Sequence, residues 1–122
     1  MSEAWIRADA SKLSQAVVNV LSNAYKYSPE GGEVSVSLRD GAKYQQPGRL
    51  GLRIKDTGIG MTPEQVARVF ERFYRADTSG TIPGTGLGMS IVKEIVELHD
   101  GTVTVESTFG KGTSVTLWIP LA

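Results

Sequence analysis

The chain has no cysteine. That excludes disulfide bonds and thiolate-held metals, and it leaves the redox compartment open. It also has no net charge, because 13 basic residues cancel 13 acidic ones. A balanced chain casts no long-range field, so neither nucleic acid nor direct membrane contact is expected. No apolar run approaches the roughly 20 residues of a membrane span, and no secretory leader is legible at the start. What is plentiful is glycine, 14 of 122 residues, in a chain of ordinary hydrophobic content. That length suits a single domain, 1–122, with one core. The short Met1-Ser2-Glu3 start reads as the beginning of a piece of a larger protein.

Periodicity then divides the chain. Ala4–Ala8 is expected as a short edge strand. Asp9–Ser28 reads as an amphipathic helix with Asp9 or Ser11 as its cap; Leu13, Ala16, Val17, Val20, Leu21 and Ala24 form its apolar stripe. Glu33–Arg39 and Arg49–Lys55 alternate apolar and polar residues, so they are expected to pair as half-buried strands around a loop, Asp40–Gly48. Thr62 and Pro63 open a second helix that is expected to reach about Phe73, with Glu64–Arg68 and Glu71–Arg75 as supporting pairs. Tyr74–Gly86 reads as a mobile loop. A third helix runs from Gly88 to about His99, burying Ile91, Val92, Ile95, Val96 and Leu98. Thr102–Ser107 and Thr113–Ile119 are two further strands. The order β-α-β-β-α-α-β-β implies an α/β (α+β) two-layer sandwich with much antiparallel pairing, not a doubly wound parallel fold.

Three features point to chemistry. Gln15, Asn19, Asn23 and Tyr27 recur every fourth residue on the first helix, with Lys26 alongside. Asparagine is a mediocre helix former, so two of them one turn apart invite either a solvated face or a ligand-facing one. Asp56-Thr57-Gly58-Ile59-Gly60 leaves a strand with a carboxylate at its exit. A local Asp-x-Gly turn explains it, and so does a carboxylate that accepts from an exocyclic amine such as adenine's. Gly84-Thr85-Gly86-Leu87-Gly88 feeds a helix N-terminus, the geometry of an anion site as well as of a capped linker. It is neither a dinucleotide fingerprint nor a Walker loop. Lys26, Arg72 and Arg75 add cations, and an Asn oxygen suits Mg²⁺, which needs few protein ligands beside phosphate and water.

These motifs resemble the signature boxes of sensor histidine kinases. Asn19–Pro29 resembles the N box, Asp56–Gly60 the first glycine box, Val69–Arg75 the F box, Gly84–Gly88 the second glycine box, and Gly110-Lys111-Gly112-Thr113 the last. All occur in the family's order and cover nearly the whole chain from Asp9 to Pro120. The resemblance implies the catalytic and ATP-binding domain, of the superfamily shared with gyrase, MutL and a heat-shock chaperone. Its fold is the Bergerat sandwich: a mixed, mostly antiparallel sheet of about five strands under three helices, with a mobile ATP lid at about 74–87.

The resemblance also implies roles. Asn23 would hold Mg²⁺, Asn19 would face the triphosphate, Lys26 would contact phosphate, and Tyr27 would lie against adenine. Asp56 would accept from the adenine amine, with Gly58 and Gly60 admitting the base and Thr113 closing its water network. Arg75 would reach the γ-phosphate from the lid, near Arg72 and Tyr74. Gly84, Thr85, Gly86, Leu87 and Gly88 would line the phosphates with backbone N–H groups. Position 19 resembles a water-activating Glu in the hydrolysing members; Asn cannot act as a base, which favours transfer over hydrolysis. The phosphorylated histidine of the family lies in a separate dimerisation domain. His99, the single histidine, closes a helix in Leu98-His99-Asp100-Gly101, where a cation is favourable. The implied partners are that dimerisation domain and a response regulator. The expected state is a monomeric cytoplasmic domain, with anchoring of the parent at the inner membrane left open. A catalytically silent nucleotide-binding module and an ATP-hydrolysing module are the alternatives.

Overall fold

The structure, a computed structural model, describes residues 5–26, 32–71 and 88–122. Helix α1 spans Ala10–Lys26. Asp9 caps it: its Oδ1 accepts from the Lys12 N–H at 3.0 Å and its carbonyl from the Leu13 N–H at 2.9 Å. Strands β1 (Val34–Asp40) and β2 (Arg49–Asp56) follow, then helices α2 (Pro63–Arg68) and α3 (Gly88–Leu98), then strands β3 (Thr102–Thr108) and β4 (Gly112–Pro120). The sheet order is β1-β2-β4-β3, and each neighbouring pair is antiparallel.

One face of this sheet carries the core. Ile54, Val115, Leu117 and Ile119 meet Ala16, Val20 and Ala24 of α1 and Met89, Val92, Ile95 and Val96 of α3. The two alanines keep α1 thin where α3 crosses it, and Val20 between them is 1% exposed. Burying each such aliphatic side chain is worth about 1.5–3 kcal/mol. This packing fixes the rotation of α1, and therefore where its polar side points.

The opposite face is closed differently. Residues 40–48, expected as a plain loop, contain a 3-10 turn, Gly41–Tyr44, capped by the Asp40 carboxylate. The turn lays Tyr44 on Trp118, ring centroids 5.9 Å apart, with the Arg39 guanidinium 4.6 Å above the Tyr44 ring. Trp118 fills the space that Gly51 leaves on the neighbouring strand, where a Cβ would approach the ring to 2.6 Å. Its indole N–H donates to Thr104 Oγ1 at 3.0 Å. Arg49 ties the same end of the sheet together, donating to Gln46, Thr102 and the Asp100 carbonyl.

Several expectations are corrected. The expected fifth strand, Ala4–Ala8, is a single bridge, Ile6 to Leu121; Leu121 is tied to Gly48 and Ala122 to Trp5, too short a run for a ladder. The described sheet thus has four strands and is antiparallel, not mixed. Helix α2 stops at Arg68, not at about Phe73, because Val69 and Glu71 already bond in tight turns to Val66 and Arg68. Its start is as expected, with a capping box between Thr62 and Gln65. Arg68 pairs with Glu71 at 2.8 Å. Val36 and Leu38, expected to be half-buried, are 54% and 63% exposed, because β1 lies at the sheet edge beyond the main helical cover. Leu98 also points outward rather than into the core.

His99 bridges two helices. Its Nδ1 lies 2.8 Å from the Ile95 carbonyl, which can only accept, and its Nε2 accepts from the Asp9 N–H at 2.9 Å. One ring nitrogen thus faces a carbonyl of α3 and the other the backbone N–H just before α1. The histidine therefore clamps the end of α3 to the start of α1. His99→Ala should lower unfolding free energy by about 1 kcal/mol in chemical denaturation, and hydrogen exchange should quicken in the first turn of α1. Unchanged stability and exchange would show that the clamp carries no weight.

Candidate functional site

On α1, the buried Ala16, Val20 and Ala24 leave Asn19, Asn23 and Lys26 on an adjoining side at three- and four-residue spacing. All three are partly buried. Neither Asn side chain hydrogen-bonds to any described residue. A partly desolvated amide with no protein partner is free for water or a ligand.

The second part of the site lies where β2 ends. Asp56 pairs with Thr113 across the β2–β4 ladder and shares the helix-covered face with Ile54. Asp56 is 6% exposed. Oδ1 accepts from the Gly58 N–H at 2.9 Å and from the Thr113 N–H at 3.3 Å. Oδ2 takes no hydrogen bond from a described residue. Burial pushes the Asp56 carboxyl above its ordinary value, and the Gly58 and Thr113 N–H groups pull it partway back. A buried carboxylate with one oxygen bare is a site for a donor.

The glycines around Asp56 have a reason that the ligand does not supply. Gly60 adopts φ +67° and Gly112 φ +133°. A Cβ on Gly60 would strike the Thr108 carbonyl, and one on Gly112 would strike the Asp56 carbonyl. They let the 56–60 turn and the β3–β4 turn press together, and the Gly110 N–H donates to the Ile59 carbonyl at 2.7 Å across that seam. Ser107 sits in the same seam. Its Oγ accepts from the Met61 N–H at 2.7 Å, donates to the Gly112 carbonyl at 3.0 Å, and lies 2.8 Å from Thr113 Oγ1. The motif reading did not single out Ser107 or Met61. The one signal for Ser107 was its place at the end of an alternating strand, opposite Thr113.

The structure thus joins Asp56, Gly58, Gly60 and Thr113 through hydrogen bonds and close backbone packing, and it aligns Asn19, Asn23 and Lys26 on one helix. Gly88 is the exposed first residue of α3, with open space around it. Tyr27, Arg72, Tyr74, Arg75, Gly84, Thr85, Gly86 and Leu87 lie outside the described residues, as does the expected lid. Among the described residues no group of three His, Cys, Asp or Glu side chains gathers to hold a metal.

The raised Asp56 carboxyl has a sign. The folded chain holds that proton more tightly than an unfolded one, so Asp56 costs stability once pH rises above the carboxylate range. Asp56→Asn keeps an oxygen for the two N–H groups and removes the charge. It should be at least as stable as the parent chain at pH 7 in urea denaturation, with the gap closing as pH falls and Asp56 is protonated. A variant clearly less stable at pH 7 would contradict this.

Comparison with known proteins agrees with the geometry. Residues 8–122 match the family described as histidine kinase-, DNA gyrase B- and HSP90-like ATPase. The sensor histidine kinase WalK of Bacillus subtilis is 42% identical over 118 residues, 95% of this chain and 19% of WalK. The chain therefore spans about a fifth of that relative's length. Among solved structures, the mycobacterial sensor histidine kinase MprB superposes with a TM-score of 0.82 at 39% identity, covering 95% of this chain and 76% of that one. Full-length ShkA in complex with AMPPNP superposes with a TM-score of 0.79 at 33% identity, over 98% of this chain and 24% of that one. The chain belongs to the histidine kinase-, DNA gyrase B- and HSP90-like ATPase family.

Proposed function

We propose that the chain, as one catalytic unit over residues 1–122, binds Mg-ATP and donates its γ-phosphoryl group to a histidine on a separate dimerisation domain of a parent kinase. The observation that carries the binding half is Asp56: a buried carboxylate whose Oδ2 has no partner among the described residues. An adenine amino group supplies the missing donor. The AMPPNP held by ShkA, a relative in fold and sequence, supports an adenine nucleotide as ligand.

In this reading Asn23 offers its side-chain oxygen to Mg²⁺. One Asn would be one ligand, so the ion would depend on phosphate oxygens and waters for the rest. Asn19 and Lys26 face the triphosphate, and Tyr27 packs against the base. Gly58 and Gly60 shape the turn beside the base, and Thr113 supports Asp56. Arg72, Tyr74, Arg75 and the lid around 74–87 close over the phosphates, with Gly84, Thr85, Gly86, Leu87 and Gly88 offering N–H groups. Arg75 neutralises charge on the γ-phosphate while the acceptor imidazole attacks and ADP leaves. Asn19 carries no carboxylate to activate water, which favours transfer over hydrolysis. The phosphohistidine then serves a response regulator. The proposed setting is the cytoplasm; among the described residues no helix is long and apolar enough to cross a membrane.

Calorimetric titration with Mg-ATP tests the site. Asn23→Ala and Asp56→Ala should each weaken binding at least tenfold, since a hydrogen bond to a charged group is worth about 1.5–3 kcal/mol, with the fold retained by circular dichroism. Unchanged affinity in both variants would overturn the assignment. In the parent chain, affinity should fall as pH drops through a window above the ordinary carboxylate range, because protonated Asp56 loses its free acceptor. Mixing the chain with a histidine-bearing dimerisation domain and γ-labelled ATP should label that histidine. Bound ATP without label would remove the transfer claim and leave the binding claim.

A further inference from the structure

We infer that Ser107 is a positioning residue for base recognition: its hydroxyl sets where Asp56 presents its free oxygen. The inference rests on the nucleotide reading above. A hydroxyl has one proton and two lone pairs. The Gly112 carbonyl can only accept, so the Ser107 proton goes there, at 3.0 Å. The Met61 N–H can only donate, and it fills one lone pair at 2.7 Å. The remaining 2.8 Å contact with Thr113 Oγ1 is then donated by Thr113. The Ser107 hydroxyl is saturated, and the Thr113 proton is fixed toward it. The lone pairs of Thr113 stay available as acceptors beside Asp56.

The consequence for Asp56 is geometric. Its Oδ1 is held from two sides, by Gly58 in the turn and by Thr113 at the start of β4. Ser107 bonds to both of those segments, through Met61 just past the turn and through Gly112 and Thr113. It therefore sets the separation between the two groups that orient the carboxylate, and with it the direction of Oδ2. In Ser107→Ala the buried Met61 N–H loses its acceptor and the Thr113 hydroxyl is free to turn. Phosphate contacts from α1 do not pass through this seam, so base recognition should suffer and phosphate binding should not.

The test compares ATP with inosine triphosphate, which carries the same ribose and phosphates but an oxygen where adenine has its amino group. Competition titrations on the parent chain, Ser107→Ala and Ser107→Thr give six affinities. Ser107→Ala should bind ATP on the order of tenfold more weakly, bind inosine triphosphate nearly as the parent does, and so lose most of its base preference. Ser107→Thr restores the hydroxyl and should restore the preference. A parent chain that binds no ATP overturns the nucleotide reading and this inference together. A parent chain that prefers ATP, with an alanine variant of equal preference, overturns the inference alone. So does a variant that loses both nucleotides in equal proportion, which is general loosening, or a threonine variant that fails to recover.

Discussion

The β2–β4 ladder is the pairing on which the rest depends. It runs from Arg49 opposite Pro120 to Asp56 opposite Thr113. β1 hangs on one side of it and β3 on the other. Its inward residues Ile54, Val115 and Leu117 are the floor on which α1 and α3 rest. Because side chains alternate strictly along a strand, a slip of one residue would send Ile54 to the open face and take Asp56 with it. Core and site are thus set by the same register: the pairing that buries Ile54 also puts Asp56 under the helices, against the Thr113 N–H.

α1 shows the same coupling from the other layer. Its packing through Ala16, Val20 and Ala24 is ordinary helix-on-sheet burial. Because those positions are fixed, Asn19 and Asn23 stay on the adjoining, partly buried side of the helix. The His99 clamp holds the start of that helix to the end of α3. In the proposed mechanism the nucleotide thus meets side chains held on two packed elements, with the remaining contacts assigned to the segment between α2 and α3.

Much of this was legible in the sequence, for identifiable reasons. Alternation of apolar and polar residues marked β2, β3 and β4, although β4 is buried on both faces, and the Asp9 and Thr62 caps marked helix starts through local hydrogen bonds alone. Local signals failed where tertiary partners decide. Alternation in Val34, Val36 and Leu38 says that one face is apolar, not that anything covers it. Gly60 and Gly112 were legible as glycines at a site, but their carbonyl neighbours come from distant parts of the chain. Ser107 was illegible because a strand-end serine acquires its three partners only when the turns meet. The reach of His99 to α1 was illegible because Asp9, 90 residues earlier, cannot be read as its partner.

Trp118, Tyr44 and Arg39 stack at the end of the ladder farthest from Asp56, where Arg49 makes its three contacts and the two chain ends bridge. The sheet is therefore unevenly fastened. Its far end is bolted by aromatic packing and a branched guanidinium network, whereas its near end contains a buried charge with an unfilled oxygen. At the near end the Asp56 carboxylate keeps one oxygen without a partner among the described residues. A nucleotide that fills that oxygen acts as the missing fastener, so binding should draw the two ends of the same strands toward equal rigidity without moving the fold.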